Sequence, residues 1–287
     1  MTQESNSSRR DWRDMFAVPI VIKQVFAKFP LTSYTPNALP TRSPTHRDEH
    51  TLYTWTTTEG SATHNISFNP TCLKWQTYLL FQGIAFRTRS SNNHASPSGS
   101  LPFLLPADSQ NPVASSKLEA WSHTNSTSKS SDIQTPRQDV YASLLDHAVR
   151  RAWLYLLYLD PDNFDNVARR LYVTPSSSNT FVALAISHQL RNAANQELLK
   201  ITPVVKAEDI LKEAVDAFSA LSTLLGGDTW FFGQEKPGLF DASVFAYTHL
   251  LLHEEMGWRN NPLAEQLATF QNLVMHRERI LSGYYER

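Results

Sequence analysis

The chain has 287 residues, a formal net charge of −1 and a pI near 6.8. This length is enough for two modest domains, and the balanced, scattered charge provides no basic surface for nucleic acid. A single cysteine, Cys72, excludes an internal disulfide, and the longest apolar run, Ala152 to Leu159, is far shorter than the roughly 20 residues that a membrane span needs.

Residues 1–50 are predicted to form an N-terminal extension. Apolar residues from Val18 to Phe29 repeat with the period of one helix face, and Pro30 ends the pattern. The sequence leaves three alternatives open for this helix: it packs on the rest of the chain, docks on a partner or lies in a membrane interface. Three prolines between Thr35 and Asp48 then predict an extended tether.

Residues 51–122 contain patterns of strand length around one clear helix. The predicted strands are Leu52–Thr56, Ala85–Arg89, Phe103–Leu105 and Pro112–Ala114. The helix starts at Asn69-Pro70 and ends at Gly83, and a closing helix covers Ser115–Trp121. This order, with Pro102 directly before the third strand, predicts an α/β thioredoxin-like domain.

A stretch rich in Ser, Thr and Asn at residues 123–136 is predicted to be a linker, because such a composition does not offset its ordering entropy. Residues 137–287 show helical periodicity throughout, which predicts an all-α C-terminal domain and a glutathione-transferase-like architecture for the whole chain. The predicted helices are Tyr141–Leu159, Phe181–Lys200, Glu208–Leu225, Asp241–Met256 and Pro262–Leu281.

Cys72 stands where a glutathione transferase places the group that stabilises the thiolate, and a helix N-terminus lowers a thiol pKa. The glutathione-binding pattern after the fourth strand requires an acidic residue or Gln before a Ser, and this chain has Ala114-Ser115. A lone cysteine is more often a small buried apolar residue than a nucleophile. We therefore predict no catalytic residue and no bound cofactor.

Two further patterns favour structural roles. His249 and His253 are four residues apart on one helix, but Leu residues fill the positions between them, so no metal site is predicted. Asp241 falls at the third position of its helix, with Gly238 at the cap, where its carboxylate can accept unpaired backbone N–H groups.

The polar loop between the second and third strands is the best binding candidate. Its short hydrogen-bonding side chains lead directly to Pro102, and we expect an edge of the small sheet near Pro102, where the backbone can pair with an extended peptide. The alternative is a loop that caps its own backbone. The candidate partner-binding residues are Asn92, Asn93, His94, Ser96 and Ser98.

Two regions, Thr71 to Leu104 and Asp228 to Leu252, joined by Trp153 to Leu159 and Arg170 to Val173, resemble the metaxin family. Lys28-Phe29-Pro30-Leu31 with Tyr34, Asn69 to Gln76 and Asn92 to Gly99 more closely resemble its small peripheral members in the fungal mitochondrial sorting and assembly machinery. The resemblance spans about residues 16–285 and rests on the order and spacing of the motifs.

The resemblance implies a non-enzymatic subunit on the cytosolic face of the mitochondrial outer membrane. Its implied partners are a barrel-forming core subunit, a larger metaxin-like subunit and β-barrel precursor proteins, whose last strand it helps to bind, and these protein partners hold it at the membrane. A glutathione transferase and a soluble transferase-like scaffold module remain as alternatives.

Overall fold

The computed structural model describes residues 48–57, 66–127 and 135–286, all within one unit that begins at Thr45. The predicted helix from Val18 to Phe29 and nearly all of the proline-rich tether lie outside these residues. The same holds for residues 128–134 of the predicted linker, so the proposed division between two domains at 123–136 stays a prediction.

Four short strands form a mixed sheet in the order β2-β1-β3-β4. The strands are β1 (His50–Thr54), β2 (Phe86–Ser90), β3 (Phe103–Leu105) and β4 (Val113–Ala114). Strand β1 is parallel to β2 and antiparallel to β3, with Leu52 opposite Thr88 on one side and Leu104 on the other. Leu52 and Leu104 are fully buried, so the centre of this sheet belongs to the core.

Helix α1 (Pro70–Phe81) connects β1 to β2 and has the predicted start and end. The Asn69 side chain accepts the N–H of Cys72, and Pro70 occupies the first turn, where its missing N–H costs nothing. Gly83 ends the segment with a φ of 67°, a conformation that glycine adopts without strain. Local capping chemistry therefore determines both ends of α1.

The described residues that follow β4 are mainly helical, as predicted. The α-helices are α2 (Leu118–Asn125), α3 (Pro136–Leu144), α4 (Arg150–Leu154), α5 (Pro161–Asn163), α6 (Thr180–Leu199), α7 (Ala207–Leu225), α8 (Leu239–Leu252), α9 (Pro262–Leu267) and α10 (Gln271–Ile280). Wider π-helical turns cover Leu145–Val149, Tyr155–Leu159, Phe164–Val173 and Leu281–Tyr285.

Several predicted helix boundaries were wrong, and most were moved by capping residues. Helix α3 starts at Pro136 rather than Tyr141, because Thr135 and Gln138 form a reciprocal capping box. Asp160-Pro161 ends one helix but also starts another, since the Asp160 side chain accepts the Asn163 N–H. The helix through Val173 was therefore missed.

The predicted bounds also failed near the C-terminus and at the end of the small domain. Helix α8 ends at Leu252, because His253 is extended and a separate 3-10 turn covers Glu254–Met256. The predicted helix Pro262–Leu281 is divided between α9 and α10. Helix α2 starts after a 3-10 turn, Ser115–Lys117, and continues beyond Trp121 to Asn125.

Helix α8 lies at the centre of the helical part and is buried on almost every face. It packs extensively along α1, so the sheet-bearing part and the helical part share one apolar core. None of the helices in the described residues combines the length and the apolar character needed to cross a bilayer.

Candidate functional site

Cys72 lies in the first turn of α1 and is 0 % exposed. Burial raises the pKa of its thiol to about 12, although hydrogen bonds with the Trp55 backbone and the Ser67 side chain act in the opposite direction. Since burial outweighs the effect of the helix N-terminus, Cys72 remains a protonated thiol at neutral pH. It carries none of the thiolate character that a nucleophile requires.

Aromatic side chains fill the space beside the start of α1. The Tyr172 ring lies 5.1 Å from the Trp55 ring and 5.2 Å from the Phe68 ring, both edge to face. The Asn69 amide donates to the Tyr172 hydroxyl over 3.3 Å, and Tyr158 is hydrogen-bonded to the same hydroxyl. Burial raises the pKa of both tyrosines, so neither ionises near neutral pH.

Two positions that would hold glutathione offer little to a ligand. Ala114 precedes the 3-10 turn at Ser115 and contributes no side-chain cap. The Leu101-Pro102 bond is cis, and the Leu101 N–H beside it donates to Asn93 Oδ1 over 3.0 Å. The chain's own loop thus occupies a backbone donor that an incoming peptide could otherwise use.

The predicted binding loop forms a short 3-10 turn, Asn93–Ala95. Asn92 Oδ1 accepts the N–H groups of His94 and Ala95, and the hydroxyls of Ser96 and Ser98 are 3.2 Å apart. Most of these polar side chains therefore support the loop itself. His94 is exposed and its ring makes no hydrogen bond to the described residues, so it is the loop side chain best placed to meet a partner.

The expectation of a sheet edge beside Pro102 was wrong. Strand β3, which follows Pro102, pairs with β1 on one side and with β4 on the other. Within the described residues, the long edge strand is β2, whose Arg87 and Arg89 side chains point outward and are exposed. The binding loop begins directly after β2, so loop and edge are neighbours.

Asp241 is 1 % exposed and connects three parts of the helical region. One carboxylate oxygen accepts the Gly238 N–H at the start of α8, and the other accepts the Phe231 N–H. His276 Nε2 of α10 lies 2.9 Å from that second oxygen. The side chain thus caps its helix and also holds two neighbouring segments.

His249 and His253 stack on each other with ring centroids 4.7 Å apart. His249 is almost completely buried, and neither of its ring nitrogens has a hydrogen-bond partner in the part of the chain that the structure describes. Burial is the main cause that lowers its pKa to about 3, so the ring is neutral. Among the described residues, no three His, Cys, Asp or Glu side chains are grouped in a way that could hold a metal ion.

One cleft was missed by the sequence analysis. It separates the first turns of α1 from the helical region and contains Lys74 and Tyr247. The available signal was Lys74 itself, which is the single charged residue of the helix Pro70–Phe81. A single charge on an otherwise uncharged and largely buried helix indicates a polar site beside that helix.

Comparisons with known proteins agree with this fold. The family model of the glutathione S-transferase N-terminal domain matches residues 70–163, and that of the C-terminal domain matches residues 214–280. A solved glutathione S-transferase of Ceriporiopsis subvermispora, in complex with glutathione, superimposes with a TM-score of 0.56. The superposition covers 84% of this chain and 99% of that chain at 13% identity, which bears on the fold alone.

Two curated relatives are metaxins. Metaxin-3 of Xenopus laevis is 28% identical over 234 residues, which are 76% of this chain and 72% of that protein. Metaxin-3 of Danio rerio is 31% identical over 152 residues, which are 50% of this chain and 47% of that protein, so the match spans about half the length of this relative. The predicted fold class and the resemblance to metaxins are confirmed: the chain is a metaxin-like protein with the glutathione S-transferase fold.

Proposed function

We propose that the chain is a non-enzymatic subunit of the machinery that sorts and assembles β-barrel proteins in the mitochondrial outer membrane. The observation that carries this proposal is the similarity to metaxins, which extends over 76% of the chain for one relative. In this role the protein sits on the cytosolic face and is held there by protein partners. Those partners are a barrel-forming core subunit and a larger metaxin-like subunit.

The chemistry around α1 supports the non-enzymatic part of the proposal. Cys72 is buried with a raised pKa, and Ala114 replaces the acidic residue of a glutathione clamp. Turnover of 1-chloro-2,4-dinitrobenzene with glutathione should therefore equal the uncatalysed rate. A clear rate above that background, lost in Cys72→Ala, would instead favour the transferase alternative.

For precursor binding, we place the contact at the edge strand β2 and the loop Asn92 to Gly99. An edge strand can hydrogen-bond the backbone of an extended segment whatever its side chains, which suits a receptor for many barrel precursors. Exposed Arg87 and Arg89 add positive charge along this edge. The segment received there is the last strand of a precursor, which the complex then inserts into the membrane.

Cell fractionation tests the location. The protein should sediment with mitochondria, be released by alkaline carbonate and be digested by protease added to intact organelles. It should also co-purify with a barrel-forming membrane protein from mild detergent. A protein that stays in the cytosolic fraction and co-purifies only with soluble proteins would support the scaffold alternative and end this proposal.

Site-specific photo-crosslinking tests the contact. Photoreactive residues at the exposed positions Arg89 and His94 should capture a precursor or the barrel partner during import. A matched probe at exposed Glu265, on the helical region, should not. If Glu265 captures the precursor and the other two positions capture nothing, the binding face lies elsewhere.

A further inference from the structure

A cleft of about 220 Å³ lies between the start of α1 and the helical region. Three chain segments each contribute two polar residues to it, at spacings that place both on one helix face. The pairs are Thr71 with Lys74, Asp146 with Arg150, and Ser243 with Tyr247. Nothing in the proposed function requires this cleft.

Lys74 is partly buried in the cleft without a counter-charge in contact. No carboxylate among the described residues lies within 4.0 Å of its ammonium, and it makes no hydrogen bond to them. Its nitrogen lies 5.1 Å from the centroid of the Trp75 ring. Burial lowers the Lys74 pKa, and the more distant Asp146 and Glu119 offset only part of this effect. An incompletely solvated ammonium is a binding site for an anion.

The first turn of α1 also favours an anion in this cleft. Pro70 has no N–H, while Asn69 accepts the N–H groups of Cys72 and Leu73 through its side chain and backbone. The Thr71 N–H is left without an acceptor in the described residues. The positive end of the helix dipole therefore faces the same space as Lys74.

Tyr247 supplies an independent sign of a ligand. Its side chain is 8 % exposed, with its ring packed edge to face against Trp153. Its hydroxyl, near Asp146 and Arg150, makes no hydrogen bond to the residues that the structure describes. Burial raises its pKa, so the hydroxyl keeps its proton and can donate to an acceptor in the cleft.

The two remaining charges define what fits. Arg150 is already paired with Glu197 over 3.1 Å, so it adds little free positive charge. Asp146 opposes an anion, so the negative group that binds must lie on the Lys74 side of the cleft. The volume suits a small acid or one side chain.

We propose that this cleft binds a carboxylate group, held by the Lys74 ammonium, the Thr71 N–H and the Tyr247 hydroxyl. The carboxylate belongs to a small organic acid or to an acidic side chain of a bound polypeptide. Both sources share the same chemistry, and the experiment separates them.

Lysine acetylation by an N-hydroxysuccinimide ester, read by peptide mass spectrometry on the full chain, tests the proposal at constant pH and ionic strength. Glutarate should slow modification of Lys74 at least fivefold and leave exposed Lys212 unchanged. Glutaramide, which is neutral and similar in shape, should have no effect. A blocked Gly-Glu-Gly peptide that protects at lower concentration than glutarate identifies a polypeptide ligand, and the reverse order identifies a small acid.

Three variants make the assignment specific. Tyr247→Phe should raise the half-protecting glutarate concentration about fivefold, because one hydrogen bond is lost while the ring stays packed. Asp146→Asn should lower it about threefold, because a like charge is removed. Tyr141→Phe, whose hydroxyl is outside the cleft, should leave it unchanged. The proposal is overturned if glutarate and glutaramide act alike, if glutarate slows Lys74 less than twofold, or if Asp146→Asn weakens protection.

Discussion

The buried carboxylate of Asp241 allows the most quantitative prediction. It serves three partners at once, namely the N–H groups of Phe231 and Gly238 and the imidazole of His276, at 2.9 to 3.0 Å. In Asp241→Ala all three polar groups lose this partner inside the core. The change should therefore destabilise the protein far more than the loss of an ordinary helix cap.

The magnitude follows from the number of partners. A buried polar group left without a partner costs about 1–3 kcal/mol, and a water entering the vacated space can satisfy one of the three groups. With two groups left unsatisfied, we expect Asp241→Ala to lower the free energy of unfolding by about 2–6 kcal/mol. A cap alone would contribute about 1 kcal/mol. Asp241→Asn keeps one acceptor oxygen and should cost an intermediate amount.

Urea unfolding followed by circular dichroism measures this difference. The control is Glu208→Ala, which removes an exposed first-turn acid from α7 and should cost less than about 1 kcal/mol. Coincident transitions by circular dichroism and tryptophan fluorescence are needed for the free energies to be compared. The reasoning fails if Asp241→Ala costs no more than Glu208→Ala.

Three further predictions concern single side chains. Burial raises the Cys72 pKa from 9.0 to about 12. Iodoacetamide at pH 8 should therefore alkylate the native thiol at least about 100-fold more slowly than the thiol of the urea-unfolded chain. Similar rates would contradict the buried placement of Cys72. The pKa of His249 falls from 6.5 to about 3 on folding. As the pH drops below 6.5, the unfolded chain binds a proton at His249 while the folded chain does not, so the folded state loses stability. This contribution amounts to about 2 kcal/mol at pH 5, and His249→Leu should lose less stability than the wild type between pH 7 and 5 in urea titrations. Asn93→Ala should lower the free energy of unfolding by about 1–2 kcal/mol in the same assay, because it removes the acceptor of the Leu101 N–H. His94→Ala should change it by almost nothing. Equal changes would show that the Asn93–Leu101 hydrogen bond contributes no stability.

The sequence alone was sufficient for the local features of this fold. The cap at Asn69-Pro70, the glycine after α1 and the strand Phe103–Leu105 were all predicted with their observed positions. Capping and turn formation depend on residues a few positions apart, so the local sequence is sufficient to predict them. The order of strands and helices also indicated the fold class, and the resemblance of short sequence motifs indicated the family.

Helix boundaries that depend on a capping side chain were harder to predict from the sequence. Thr135 and Gln138 started a helix earlier than the apolar periodicity indicated, and Asp160-Pro161 acted as both an end and a start. In each case a side chain accepts backbone N–H groups at the helix start, and apolar periodicity does not indicate this contact.

Tertiary structure alone decided the chemistry of the interior. His276 reaches Asp241 across 35 positions. Burial of Cys72 in a cluster with Leu101 and Phe103 raises its pKa, although hydrogen bonds with Trp55 and Ser67 act in the opposite direction. Lys74 acquired its cleft only when α1 packed along α8. Desolvation and the identity of long-range partners depend on which surfaces are in contact in the folded chain. The spacing of residues along the sequence does not specify those contacts.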